Sequence, residues 1–148
     1  MQVNPQYEAL LKSKMDEASY SKLTALENEK LFNFVGEYVD LCQPDSVFMA
    51  DDSDEDAEYI RQRSLEIGEE KQLARENATM HYDGPGDQAR DKANTKFMVS
   101  KERMAQMGGL NTIEYNEAKA EVKSIMNGIM KGKKAILKLF CECPTQSP

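Results

Sequence analysis

The 148-residue sequence contains no tryptophan, one histidine and three cysteines. Each scarcity removes a class of chemistry. A catalytic thiol–imidazole pair has only His81 to draw on, and nothing in the sequence brings it to a cysteine. Zinc takes about four ligands, usually in two spaced pairs; Cys141-x-Cys143 is one pair without a second. With Cys42 the count is odd, a poor disulfide framework that fits a reducing compartment. No apolar run nears the roughly 18 residues of a membrane span. The start, MQVNPQYEALLK, lacks the charged beginning and apolar stretch of a signal peptide. A cytoplasmic location without membrane contact is therefore expected. Basic residues are also short: 19 Lys and Arg face 26 Asp and Glu, a net charge of -7. Nucleic-acid binding, which needs a concentrated basic face, is not expected.

Several catalytic signatures are missing as well. There is no G-x-x-x-x-G-K-[ST] phosphate loop, no G-x-G-x-x-G fingerprint and no G-x-S-x-G nucleophile elbow. The sequence assigns no catalytic residue and no metal ligand within this chain. The core is lean. Leu, Ile, Val and Phe make 28 of 148 residues, just under the roughly 20% at which disorder becomes a concern. Nine Met and six Tyr add apolar bulk.

What is there reads as alternating helices and strands. One helix is predicted over 5–18 and a second from Ser21 or Thr24 to about Leu41. Leu31, Phe34, Val35, Tyr38 and Cys42 follow the spacing of one buried stripe, and Pro44 stops the helix. Ser46–Ala50 is a short apolar run bounded by turn formers, hence a buried strand. The acidic run that follows matches a calcium loop at Asp52, Asp54 and Asp56, then fails. Ala57 stands where the turn needs Gly, and Arg63 where a bidentate Glu is needed. A helix start explains it better: Ser53 caps, Asp54, Glu55 and Asp56 sit at the positive end, and Gly68 closes the helix.

Further strands are predicted at 78–82 and 95–99, with a turn at 83–87 and a helical turn near 88–92 between them. His81, beside that turn, reads as a structural histidine. A polar helical turn at 100–109 follows. Asn111 and Glu114 have capping-box spacing ahead of a helix with the stripe Ala118, Val122, Ile125, Met126 and Ile129. Gly128 or Gly132 ends that helix. Lys131, Lys133 and Lys134 read as a solvated helix end, where cations are favoured. Last comes a strand over 134–141, apolar on both faces, the mark of a central strand covered by helices. The order gives an α/β class: N-terminal helices (1–42), then a mixed sheet flanked by helices (43–148). The tail follows that last strand at the position where open α/β sheets place a binding loop. The chain reads as an incomplete lobe of a larger enzyme.

Three blocks carry a resemblance. Cys42-Gln43-Pro44-Asp45, a strand and then Asp51-Asp52-Ser53 resembles the start of GTP-dependent phosphoenolpyruvate carboxykinase, which has C-Q-P-D, a strand and a D-G-S turn. Asn77 to Thr95 is similar to a family segment containing T-D-P-R-D-V-A-R, with Pro85, Asp87, Ala89, Arg90 and Thr95 coinciding. Met130 to Pro148 is similar to a segment beginning M-K-G-R and ending in P-L-G-S-P. There Met130, Lys131, Gly132, Phe140, Pro144, Ser147 and Pro148 coincide. The resemblance covers about 41–148.

It implies a parent that converts oxaloacetate and GTP to phosphoenolpyruvate, GDP and CO2 in gluconeogenesis. A divalent ion, manganese or magnesium, would stabilise the enolate oxygen, and cations would position the phosphates in line. The phosphate loop and metal ligands would lie in the remainder of the carboxykinase chain, leaving this fragment inactive alone. The family's substrate-carboxylate arginine falls at Gly86, because P-R-D is here Pro85-Gly86-Asp87. Glycine cannot supply bidentate hydrogen bonds. Arg90 is the nearby candidate for oxaloacetate binding, although it aligns with a different family arginine. Cys143 likewise replaces the glycine of the family's M-G-P, so the resemblance implies a divergent branch. The competing reading is a small acidic adaptor that binds a partner through the 21–42 or 112–130 helix. The apolar strand at 134–141 argues against it, since a helical adaptor has no use for one.

Overall fold

The computed structural model describes residues 3–81 and 94–140. The turn at 83–87, the helical turn near 88–92, Cys141 and Cys143 lie outside the described residues. The chain divides into two compact units, one of Met1–Glu58 with Met126–Pro148 and one of Tyr59–Ile125. Helices combine with parallel and antiparallel strand pairs, so the α/β class expected from sequence holds.

The first unit begins with three helices where two are expected: α1 (Pro5–Lys14), α2 (Glu17–Ala25) and α3 (Glu29–Cys42). The breaks come from side chains that satisfy orphan N–H groups at helix starts. Asn4 Oδ1 accepts from Gln6 N–H, Asp16 Oδ1 from Ser19 N–H, and Asn28 Oδ1 from Leu31 N–H. Between α1 and α2, Met15 is extended and makes a parallel bridge with Val47. Between α2 and α3, Glu27 takes a φ of 47°. Apolar spacing continues across both breaks, which is why periodicity alone merges the helices.

The buried face of α3 also differs from the expected stripe. Phe32, Val35, Gly36, Val39 and Cys42 are buried, while Phe34 is exposed and packs on Tyr38 with ring centroids 4.6 Å apart. Gly36 decides the difference. A Cβ there would lie 2.9 Å from Tyr7 Cδ2 and closer still to its Cβ and Cγ. Close approach of α1 to α3 therefore requires glycine, which an apolar count overlooks. Asn33 Oδ1 accepts from Asn4 N–H (2.9 Å) and fixes the same contact.

β1 (Ser46–Ala50) matches the expected strand and pairs in parallel with β2 (Lys134–Lys138), Ser46 opposite Lys134 and Ala50 opposite Lys138. The core lies between this pair and the helices: Leu11, Met15, Leu23, Phe32, Val35, Val39, Val47 and Met49. Buried Ser19 is satisfied because its hydroxyl accepts Met49 N–H (3.1 Å). The strand at 134–138 differs from the expected covered central strand. Among the described residues it has one neighbour, and Ile136, Leu139 and Phe140 are exposed.

The end of α3 and the turn at 127–133 are stitched together. Gly128 N–H donates to Leu41 O (2.8 Å) and Met130 N–H to Cys42 O (3.0 Å). Gly132 N–H donates to Asp45 Oδ1 (3.1 Å), and Asp45 N–H to Lys133 O (2.8 Å). Two of the resembling blocks, Cys42–Asp45 and Met130–Gly132, thus meet in space.

α4 (Asp54–Ile67) starts after Ser53, whose Oγ accepts Asp56 N–H (3.3 Å), and is followed by Gly68 with φ 79°, as expected. The second unit holds an antiparallel pair, β3 (Lys71–Gln72) with β4 (Thr79–Met80). It also holds a parallel pair, β5 (Phe97–Val99) with β6 (Thr112–Glu114), a short α5 (Lys101–Met104), and most of α6 (Tyr115–Met126). Sequence reading misses β3, which is charged, exposed and two residues long. It also misplaces the cap of α6. Residues 112–114 form a strand, and Glu114 Oε2 accepts from Asn116 N–H (2.8 Å) and Glu117 N–H (3.0 Å), whereas Asn111 Nδ2 donates to Thr95 O. Ala118 is buried, but Val122, Ile125 and Ile129 of the expected apolar stripe are exposed.

Gly36→Ala is expected to destabilise the chain by about 2 kcal/mol, since overpacking outweighs the helix propensity gained. Urea unfolding checks this. A neutral or stabilising effect would contradict the α1–α3 packing.

Candidate functional site

In α/β sheets, ligands bind beyond the carboxyl ends of the strands. In the first unit that place is an open cleft of about 390 Å3, lined by Lys22, Met49, Asp51, Asp52, Lys138 and Leu139 among others. Its polar groups come from three segments: α2, the turn after β1, and the end of β2. Lys22 Nζ lies 2.9 Å from Asp51 Oδ2 and 2.5 Å from Asp56 Oδ2, and 5.9 Å from the centre of the Phe48 ring.

The acidic run is occupied by its own main chain. Asp51 Oδ1 accepts Ser53 N–H (2.9 Å), and Asp56 Oδ2 accepts Asp51 N–H (2.8 Å) as well as the Lys22 ammonium. This is a stitched turn that starts α4. It gives the helix-start reading of Ser53–Asp56 its geometry. A divalent ion would have to displace Lys22, so these residues do not fit one. Among the described residues no group of three or more His, Cys, Asp or Glu side chains is placed to hold a metal.

The remaining sequence candidates separate. Arg90 and Gly86, the substrate-binding positions, lie outside the described residues. His81 Nδ1 lies 2.6 Å from Glu69 O, tying the end of β4 to the segment after α4, in keeping with a structural role. Cys42 is a buried free thiol in the core of the first unit. Sequence reading did not single out Lys22. Its partner Asp56 is 34 residues away, and no local periodicity joins α2 to the turn after β1.

Hydrogen bonding from Ser53, and then Lys22, holds the Asp51 carboxyl well below the usual carboxylate range. Asp16 is lowered by the Ser19 N–H it caps. Lys22 is raised, first by its bond to Asp56 and then by Asp51. A lowered carboxyl contributes stability above its unfolded value and loses it as pH falls; a raised lysine contributes below its unfolded value and loses it as pH rises. Tm is therefore expected to hold near neutrality, to fall below about pH 4 and to fall again above about pH 10. Lys22→Met is expected to shrink the alkaline fall, leaving the part from Lys12, which Glu8 raises, and to weaken the acid one, leaving the Ser53 and Ser19 contributions. Thermal scans across pH check this. An unchanged alkaline limb in Lys22→Met would contradict the assignment.

Comparison with known proteins covers the same segments. A family model described as the phosphoenolpyruvate carboxykinase N-terminal domain matches residues 33–148. The phosphoenolpyruvate carboxykinase [GTP] of Pyrococcus abyssi is 43% identical over 137 residues, 93% of this chain and 22% of that protein. The protein of that name from Thermococcus sibiricus is 41% identical over 140 residues, 95% of this chain and 22% of that protein. The one from Saccharolobus solfataricus is 36% identical over 127 residues, 86% of this chain and 20% of that protein. The chain spans about a fifth of the length of these relatives. The match includes both segments of the stitched turn, 42–45 and 130–132, and the chain belongs to the phosphoenolpyruvate carboxykinase N-terminal domain family.

Proposed function

We propose that this chain is the N-terminal part of a GTP-dependent phosphoenolpyruvate carboxykinase. Its parent converts oxaloacetate and GTP to phosphoenolpyruvate, GDP and CO2, a gluconeogenic step. The observation that carries this reading is the family match over residues 33–148.

The chemistry divides between this chain and the rest of the parent. Loss of CO2 from oxaloacetate leaves an enolate, whose oxygen takes the γ-phosphoryl group of GTP. A divalent cation supplies charge stabilisation to the enolate and the phosphates when bound. In this reading its ligands, and those of GTP, are supplied by the remainder of the parent. This chain's share is binding. Arg90 holds a carboxylate of oxaloacetate by charge-assisted hydrogen bonds, in the same sequence segment as Gly86, where an arginine would stand in the family pattern. The stitched Asp51–Asp56 turn and the α1–α3 core hold the lobe in shape.

A chimera tests the reading. This chain replaces the matched 137 residues of the Pyrococcus abyssi relative. The 148-residue chain alone is expected to form no phosphoenolpyruvate from oxaloacetate, GTP and manganese, while the chimera forms it. In the chimera, Arg90→Ala is expected to raise the oxaloacetate KM roughly tenfold or more, the scale of a lost charged hydrogen bond. The GTP KM is expected to stay within about twofold, because uniform binding to one substrate is removed. A folded but inactive chimera would contradict the carboxykinase reading and favour the adaptor. Unchanged oxaloacetate kinetics would leave Arg90 a structural role only.

A further inference from the structure

Asn127 is the one asparagine in the sequence that glycine follows. Such a pair is prone to ring closure, because glycine has no side chain to keep its nitrogen from the asparagine Cγ. In that reaction the Gly128 nitrogen gives its proton to solvent base and forms a bond to Asn127 Cγ. The Cγ–Nδ2 bond breaks, and Nδ2 takes up a proton and leaves as ammonia. Water then opens the cyclic imide at either carbonyl. One opening leaves aspartate. The other leaves isoaspartate, with the main chain rerouted through Cγ. In sum one water enters, one ammonia leaves, and nothing is oxidised or reduced.

The fold holds this pair out of reaction. Asn127 is exposed and Gly128 half-buried in the turn after α6. Gly128 N–H, the group that must lose its proton, donates to Leu41 O at 2.8 Å. Asn127 Oδ1 accepts from Gln43 Nε2 at 3.4 Å, which draws the side chain to the same end of α3. Attack has to break the Leu41 bond and leave that carbonyl without its donor. Once the bond opens, the surroundings favour reaction. Lys131 Nζ lies 3.4 Å from where a Gly128 Cβ would stand, and a cation there favours the amide anion.

We infer that Asn127-Gly128 is a site of spontaneous deamidation, guarded by the bond from Gly128 to Leu41 and exposed whenever the contact between α3 and the turn at 127–133 opens. The product does not restore the guard. The imide nitrogen carries no hydrogen, so Leu41 O has no donor while the ring lasts. Isoaspartate adds a carbon to the main chain of the turn. A transient opening thus becomes a permanent change at the point where β2 is set against β1.

Mass spectrometry with peptide mapping tests this on the 148-residue chain. Each event adds one mass unit, and methylation by an isoaspartyl methyltransferase marks the rerouted product. Unfolded in guanidinium chloride, the chain is expected to react at Asn127 before its other asparagines. In the folded chain, Asn127 is expected to react more slowly by the factor that hydrogen exchange gives for protection of the Gly128 amide, roughly tenfold or more. Asp45→Ala removes the carboxylate that accepts Gly132 N–H, and is expected to speed Gly128 exchange and Asn127 reaction in the same proportion. If that variant does not fold, guanidinium chloride below the unfolding midpoint supplies the graded opening in the unaltered chain. Equal rates in the folded and unfolded chain would overturn the inference. So would earlier reaction at another asparagine in the unfolded chain. Faster Gly128 exchange without faster Asn127 reaction, in the variant or in the denaturant series, would overturn it as well.

Discussion

The last carbonyls of α3 have no acceptor role left inside their own helix, and the first unit is organised around what satisfies them. Buried or half-buried carbonyls need donors. Here the donors come from 87 and 88 residues away, the N–H groups of Gly128 on Leu41 O and of Met130 on Cys42 O. Gln43 enters the left-handed region at φ 55° and turns the chain, and buried Pro44 prevents the helix from resuming. Asp45 then binds the distant turn through both its carboxylate and its N–H. Its bond to Lys133 O immediately precedes the Ser46–Lys134 pair, so this contact sets the parallel register of β1 on β2. In turn, β1 holds Met15 and Ser19, and with them the path from α1 to α2.

The same contact gives physical meaning to the segments that carry the family likeness. Cys42–Asp45 and Met130–Gly132 form a hydrogen-bonded joint in this structure. Turn and cap positions constrain residue choice as strictly as chemistry does. Near the carboxyl ends of the strands the polar groups are likewise engaged with one another: Lys22 with Asp51 and Asp56, and both acids with main-chain N–H groups. Such an arrangement holds a turn and starts a helix.

Much of this was legible in the sequence. β1 was readable to the residue, because Pro44 and Asp51 bracket a short apolar run. The start of α4 at Ser53 and its end at Gly68 follow from cap chemistry. The α1–α2–α3 breaks were missed because Asp16 and Asn28 are caps embedded in continuing apolar spacing. The face of α3 was read one residue off because Gly36 makes a close contact without being counted as apolar. Asn111 and Glu114 have capping-box spacing, yet tertiary pairing with β5 draws residues 112–114 into a strand and moves the cap to Glu114. Lys22 and the α3 joint were out of reach because their partners are remote in sequence. Arg90 and Gly86 rest on the resemblance, since no local pattern selects them.

The most direct test of this account is Asp45→Ala followed by native-state hydrogen exchange. If the joint sets the register, the Gly132 amide and the amides of β2 lose protection together, while those of α1 keep theirs. The joint would then open as one cooperative unit. If β2 keeps its full protection in the variant, the register is set elsewhere, and the joint does not organise the fold.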